Sequence, residues 1–115
     1  MKVSIVIPLF KHSQFFNQCM DSLAKYTNPD ETEIIVVRSS GSFAENCNRG
    51  IAMAEGEYIC LLNDDCVVTE GWLEPLLEVM NVHPDAGAVS PMMLFPPEEV
   101  PAGADEAFRR IIKYE

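Results

Sequence analysis

Three short runs of apolar, largely β-branched residues, Val3–Phe10, Ile34–Val37 and Tyr58–Leu62, alternate with stretches of helical periodicity, and this alternation limits the possible folds more than any other feature. Runs that are apolar at consecutive positions suit strands covered on both faces. Such strands pair in parallel through helical crossovers, which are right-handed because a twisted strand feeding a helix packs back onto its sheet only that way. The sequence predicts an α/β fold, a three-layer sandwich about a mainly parallel sheet.

The first strand is expected to stop near Pro8. Ser13 is placed to cap a helix whose apolar positions, Phe16, Cys19, Met20 and Leu23, recur until Asn28 and Pro29 break the pattern. After the second strand, Arg38 to Ser42 form a polar turn. Phe43, Cys47, Ile51 and Ala54 mark the next helix, with Gly56 read as its C-terminal cap. Asn63, Asp64 and Asp65 end the third strand. Gly71 leads into a helix with the stripe Trp72, Leu73, Leu76, Leu77 and Met80, in which Trp72 is expected to anchor the core. Ala86 to Leu94 reads as a fourth strand. Residues 1–95 thus make one domain. Residues 96–115 form a connection stiffened by Pro96, Pro97 and Pro101, then a short helix over residues 104–114 with Phe108, Ile111 and Ile112 on one face.

With 115 residues the chain has room for one core. Its formal net charge of −10 argues against nucleic acid or an anionic membrane as the main partner, since both would repel it. An anionic ligand would need a cation as mediator. Val3–Phe10 is too short to cross a bilayer and no small-residue cleavage site follows, so no signal peptide is expected. Cys19, Cys47, Cys60 and Cys66 form no Cys-x-x-Cys pair and have no histidine at ligand spacing, which reads as reduced thiols and a cytoplasmic location.

In an open α/β sheet the carboxyl ends of the strands gather on one edge, where ligands bind. Phe10 to His12, Arg38 to Ser42 and Asn63 to Asp65 meet there. Two adjacent carboxylates repel each other, and a bound cation relieves the repulsion. Magnesium or manganese prefers hard oxygen ligands and is commonly held by one or two carboxylates together with a ligand's phosphates, so a nucleoside diphosphate is the natural companion. The alternative role for Asp64 and Asp65 is to cap the turn before Trp72. His12 and His83 sit at helix boundaries, where capping or exposure accounts for them.

Val3-Ser4-Ile5-Val6-Ile7-Pro8-Leu9-Phe10 followed by Cys19-Met20-Asp21-Ser22-Leu23 resembles the opening strand and helix of the family 2 glycosyltransferases. Asn48-Arg49-Gly50-Ile51-Ala52, Gly56-Glu57-Tyr58-Ile59, Leu62-Asn63-Asp64-Asp65 and Gly71-Trp72-Leu73-Glu74 extend the resemblance to about Leu94. It implies a shortened GT-A fold that transfers a sugar from a nucleoside diphosphate sugar to a hydroxyl of a carbohydrate or lipid-linked acceptor, with inversion. It also implies that Asn63-Asp64-Asp65 takes the family's Asp-x-Asp position, with Asp65 on a divalent metal (Mn or Mg) and Asp64 near metal and ribose. Pro8 and Phe10 would border the nucleoside, and Asn48 would face the nucleotide pocket.

The sequence departs from this family in three places. Arg38, Ser39 and Ser40 stand where the family has a base-contacting aspartate, though Arg38 can reach a phosphate. Phe43 follows that turn directly, without the family's extra helix and edge strand, and a bare edge invites a homo-oligomer. Finally, Glu98, Glu99, Asp105 and Glu106 match no general-base motif, so the base must come from elsewhere. A non-catalytic nucleotide-binding or assembly module is therefore the competing reading. A phosphate-accepting signalling domain is disfavoured, because its aspartates follow the first strand and not the third.

Overall fold

The computed structural model describes residues 2–9, 14–38 and 41–92. The elements run β1 (Val3–Leu9), α1 (Gln14–Tyr26), β2 (Thr32–Arg38), α2 (Phe43–Met53), β3 (Tyr58–Leu61) and α3 (Glu74–Val82). The chain divides into two compact units, Met1–Trp72 and Leu73–Glu115.

The first unit carries a wholly parallel sheet in the order β2-β1-β3. All seven residues of β1 are buried, as a continuous apolar run in a central strand requires. Burial of Val3, Ile5, Val6, Ile7 and Leu9 contributes about 1.5–3 kcal/mol each. Right-handed crossovers to strands on opposite sides of β1 put α1 and α2 on opposite faces of the sheet, which gives the three layers. On one face Val6, Ile35 and Val37 form a cluster with Ala54 packed against it. By alternation Ile5 and Ile7 turn to the other face, the side of α1, whose own buried residues are Phe16, Cys19, Ser22 and Leu23.

Ser4 is the polar exception in β1. Its hydroxyl donates to Glu33 Oε1 at 2.7 Å and accepts the Gly56 N–H at 2.8 Å, while Glu33 Oε1 also takes the Glu55 N–H at 2.8 Å. One buried hydroxyl thus joins β1, β2 and the turn into β3.

Four expectations need correction. Gly56 does not cap α2: Ala54 does, its N–H bonding to Ile51 O. Gly56 instead lets the chain approach β1, since a Cβ there would lie 2.6 Å from Ser4 N. The buried face of α2 is Asn46, Cys47 and Gly50, and Phe43 and Ile51 are exposed. Close approach to the strand selects the small residues. Trp72 precedes α3 and is half-buried, its Nε1–H donating to Thr27 Oγ1 at 3.1 Å. Residues 86–92 form no strand. Pro91 has no N–H for a ladder, and Met92 stays 73% exposed, so the run gains little from burial. Residues 93–115, with the expected Pro-rich connection and last helix, lie outside the described residues, as do Phe10 to Ser13.

Candidate functional site

The site is set by where the strands stop pairing. Leu62 N–H donates to Val6 O at 2.9 Å. In a regular parallel ladder the next link would run from the N–H of residue 8 to Leu62 O, but Pro8 has no N–H. The β1–β3 ladder ends there, and the chain is free to turn away at Asn63. Pro8 is itself fully buried and pairs in register with Val37.

The turn that follows is closed by Cys66 N–H bonding to Asn63 O at 3.2 Å, so Asp64 and Asp65 take its two central positions. Asp64 is half-buried and Asp65 exposed. The chain leaves β1 on one side for β2 and returns on the other for β3. The topological switch point therefore lies between the carboxyl ends of β1 and β3, where Pro8 and the acidic turn are.

The negative charge of the pair is felt by neighbouring thiols. Burial first, then Cys66, Asp64 and Asp65, push Cys19 up to about 11. Cys66 is raised by burial and then by Asp65, against the lowering effect of a backbone bond to Asn63. Burial, then Cys66, pushes Cys60 up to about 11. Cysteines this reluctant to ionise are poor nucleophiles and poor metal ligands.

Arg38 is exposed at the end of β2, opposite Leu9 in register. With β1 between them, the ends of β2 and β3 stand about 10 Å apart, twice the usual strand spacing. That exceeds the reach of a direct hydrogen bond and is within the span of a nucleotide. Asn63 is exposed beside the acids. Asn48 is exposed on α2, away from its buried face, and no described contact brings it to the acidic turn. Phe10 and Ser39 lie outside the described residues.

Among the described residues there is no cluster of three or more His, Cys, Asp or Glu side chains able to hold a metal. Two adjacent carboxylates alone fit Mg²⁺ or Mn²⁺ shared with phosphate oxygens, and do not fit an all-protein cage.

Sequence reasoning passed over three residues. Ser22 shares the buried face of α1 with Cys19 and Leu23, and its hydroxyl accepts the Val68 N–H at 3.1 Å. Thr27 receives Trp72. Asn46 is fully buried on α2, and among the described residues neither its side-chain nitrogen nor its oxygen has a hydrogen-bond partner. For Ser22 and Asn46 the available signal was a polar residue at helical spacing from buried apolar ones.

The family described as Glycosyl transferase family 2 matches residues 38–114. A stretch of 46 residues is 48% identical to "Putative polypeptide N-acetylgalactosaminyltransferase 13" of Drosophila melanogaster, covering 40% of this chain and 8% of that protein. Glycosyltransferase GlyG of Streptococcus pneumoniae serotype 4 is 24% identical over 103 aligned residues, covering 66% of this chain and 34% of that protein. The chain thus spans about a third or less of the length of these curated relatives. Among solved structures, S. aureus TarS 1-349 in complex with UDP-GlcNAc superposes with a TM-score of 0.61 at 18% identity, covering 84% of this chain and 39% of that one. A likeness at that identity speaks for the fold.

Proposed function

Since the chain belongs to glycosyl transferase family 2, we propose that it holds a nucleoside diphosphate sugar at the switch point between β1 and β3, with Asp64 and Asp65 as the groups that receive a divalent cation. One observation carries this reading: the turn closed by Cys66 N–H and Asn63 O presents both acids at the carboxyl edge of a parallel sheet. TarS, solved with UDP-GlcNAc, supports a ligand of this class.

In this reading Asp65 and Asp64 bind the cation, and Asp64 and Asn63 also border the ribose. Pro8 and Phe10 flank the nucleoside, Arg38 and Ser39 meet a phosphate from the β2 side, and Asn48 faces the nucleotide. Mn²⁺ or Mg²⁺, when bound, offsets the charge that builds on a departing diphosphate. The acidic surface makes such a cation necessary, because a net charge of −10 repels a bare diphosphate. Residues 1–95 form the donor-binding part. The acceptor, a carbohydrate or lipid-linked hydroxyl, and the general base come from outside it. The protein works in the cytoplasm and pairs with a second copy through an open sheet edge. Among the described residues no helix is long and apolar enough to cross a membrane.

Calorimetry with uridine, guanosine and thymidine diphosphates, with and without Mn²⁺, tests the reading. Binding that requires Mn²⁺, and that Asp65→Ala makes insensitive to Mn²⁺ while the protein stays folded, is the expected result. Absence of binding to all three nucleotides in both conditions overturns it. An Asp65→Ala protein that unfolds would assign the acid to capping the turn.

A further inference from the structure

The segment that follows β3 is fastened at three successive points, two on α1 and one on Thr27, the residue just after it. Cys19 Sγ donates to Asn63 O at 3.9 Å, Val68 N–H donates to Ser22 Oγ at 3.1 Å, and Trp72 Nε1–H donates to Thr27 Oγ1 at 3.1 Å. The order 19, 22, 27 against 63, 68, 72 means that this segment runs along α1 in the same direction. Asp64 and Asp65 lie between the first two fastenings.

The Ser22 contact is the strongest of the three. Ser22 and Val68 are both buried, so the bond forms away from water, where loss of either partner leaves an unpaired polar group. The hydroxyl hydrogen is committed to Cys19 O at 2.8 Å, the back-bond typical of helical serine. That commitment turns an oxygen lone pair toward Val68. At the other end of the turn, Asn63 O takes both the Cys66 N–H and the Cys19 thiol, so one carbonyl closes the turn and ties it to the helix.

We propose that Ser22 is a positioning residue for the acidic turn: through Val68 it holds Asp64 and Asp65 in the geometry that receives a divalent cation, so α1 sets the metal affinity of a site to which it contributes no ligand. The inference rests on the cation-binding reading of that turn. Two carboxylates on an exposed turn would otherwise splay apart under mutual repulsion, and a cation would have to reassemble them at the expense of its own binding free energy. Groups that orient ligands in this way typically change metal affinity by about 10- to 100-fold when removed.

The test compares Ser22→Ala, Ser22→Thr and Thr27→Val in the full chain, measuring Mn²⁺ affinity in the presence of uridine diphosphate and the thermal midpoint. Ser22→Ala is expected to weaken Mn²⁺ binding by about tenfold or more. Ser22→Thr, which keeps the hydroxyl, is expected to restore it. Thr27→Val breaks the fastening farthest from the acids and is expected to lower the midpoint without changing Mn²⁺ affinity. If Ser22→Ala does not fold, Ser22→Cys replaces it, since sulfur fills the space but accepts hydrogen bonds poorly. Unchanged Mn²⁺ affinity in a folded Ser22 variant overturns the proposal and leaves the site reading intact. An equal loss in Thr27→Val also overturns it, because the effect would then follow stability alone. Wild-type protein that binds no Mn²⁺ overturns the site reading and this inference together.

Discussion

Gly50 of α2 lies directly over Val6 of β1, so near that a Cβ at position 50 would overlap the Val6 Cγ1 methyl and stand 3.2 Å from Val37 Cγ2. The contact sets how closely α2 packs on the sheet, and explains why its buried face is Asn46, Cys47 and Gly50 while larger apolar residues remain outside. Gly50→Ala is expected to destabilise the protein by about 1–2 kcal/mol, as overpacking outweighs the better helix propensity of alanine. The urea midpoint measures it, and a raised midpoint would mean that α2 moves off the strand without penalty.

Glu33 gives the fold an acid limit. Its carboxylate accepts the Glu55 N–H and the Ser4 hydroxyl, and these two bonds, in that order, hold it below the ordinary carboxylate value of 4.5. A carboxylate with a lowered folded pKa contributes stability that is full above its unfolded value and lost as pH falls through the folded one. Unfolding midpoints are therefore expected to drop below about pH 4.5, and Glu33→Gln is expected to flatten that limb. An identical acid limb in the variant would remove Glu33 from the account.

The thiols supply the alkaline counterpart. Cys19 and Cys60 are both pushed up to about 11 from 9.0, chiefly by burial. With the folded value raised, their contribution is full below 9.0 and declines as pH rises toward 11, because the unfolded chain ionises first. Mass mapping after iodoacetamide treatment of folded protein at pH 8 is expected to leave both unmodified, whereas unfolded protein reacts at both. Rapid labelling of either in the folded protein would contradict the burial that raises them.

Asn46 is a cost the fold carries. An amide with neither donor nor acceptor satisfied loses its hydration without replacement. Asn46→Leu, which keeps the branching at Cγ, removes the unpaired amide and is a better helix former, is expected to stabilise the protein by up to about 1 kcal/mol, less whatever the larger methyl groups cost in overpacking. Differential scanning calorimetry decides it, and a lowered transition would show that the amide has a partner in solution.

Much of this architecture was readable from residue order. The apolar runs at Val3–Phe10, Ile34–Val37 and Tyr58–Leu62 gave strands at Val3–Leu9, Thr32–Arg38 and Tyr58–Leu61, but only β1 is covered on both faces as expected, since Ile34 in β2 and Ile59 and Leu61 in β3 stay exposed on the flanking strands. The position of the acidic pair was equally legible, since residues after a parallel strand fall on the carboxyl edge. The expected strand over Ala86–Leu94 failed for the opposite reason. Its apolar character carried no guarantee of a partner, and residues 86–92 have no strand pairing.

The primary structure by itself determined a parallel α/β unit and put Asp64 and Asp65 at the carboxyl edge of its sheet, because periodicity and strand polarity are encoded in neighbouring residues. Only the tertiary structure decided that Gly56 serves Ser4, that α2 turns Gly50 inward, and that Ser22 receives Val68. These choices depend on contacts between residues some fifty positions apart, and such contacts form only after the sheet has been assembled.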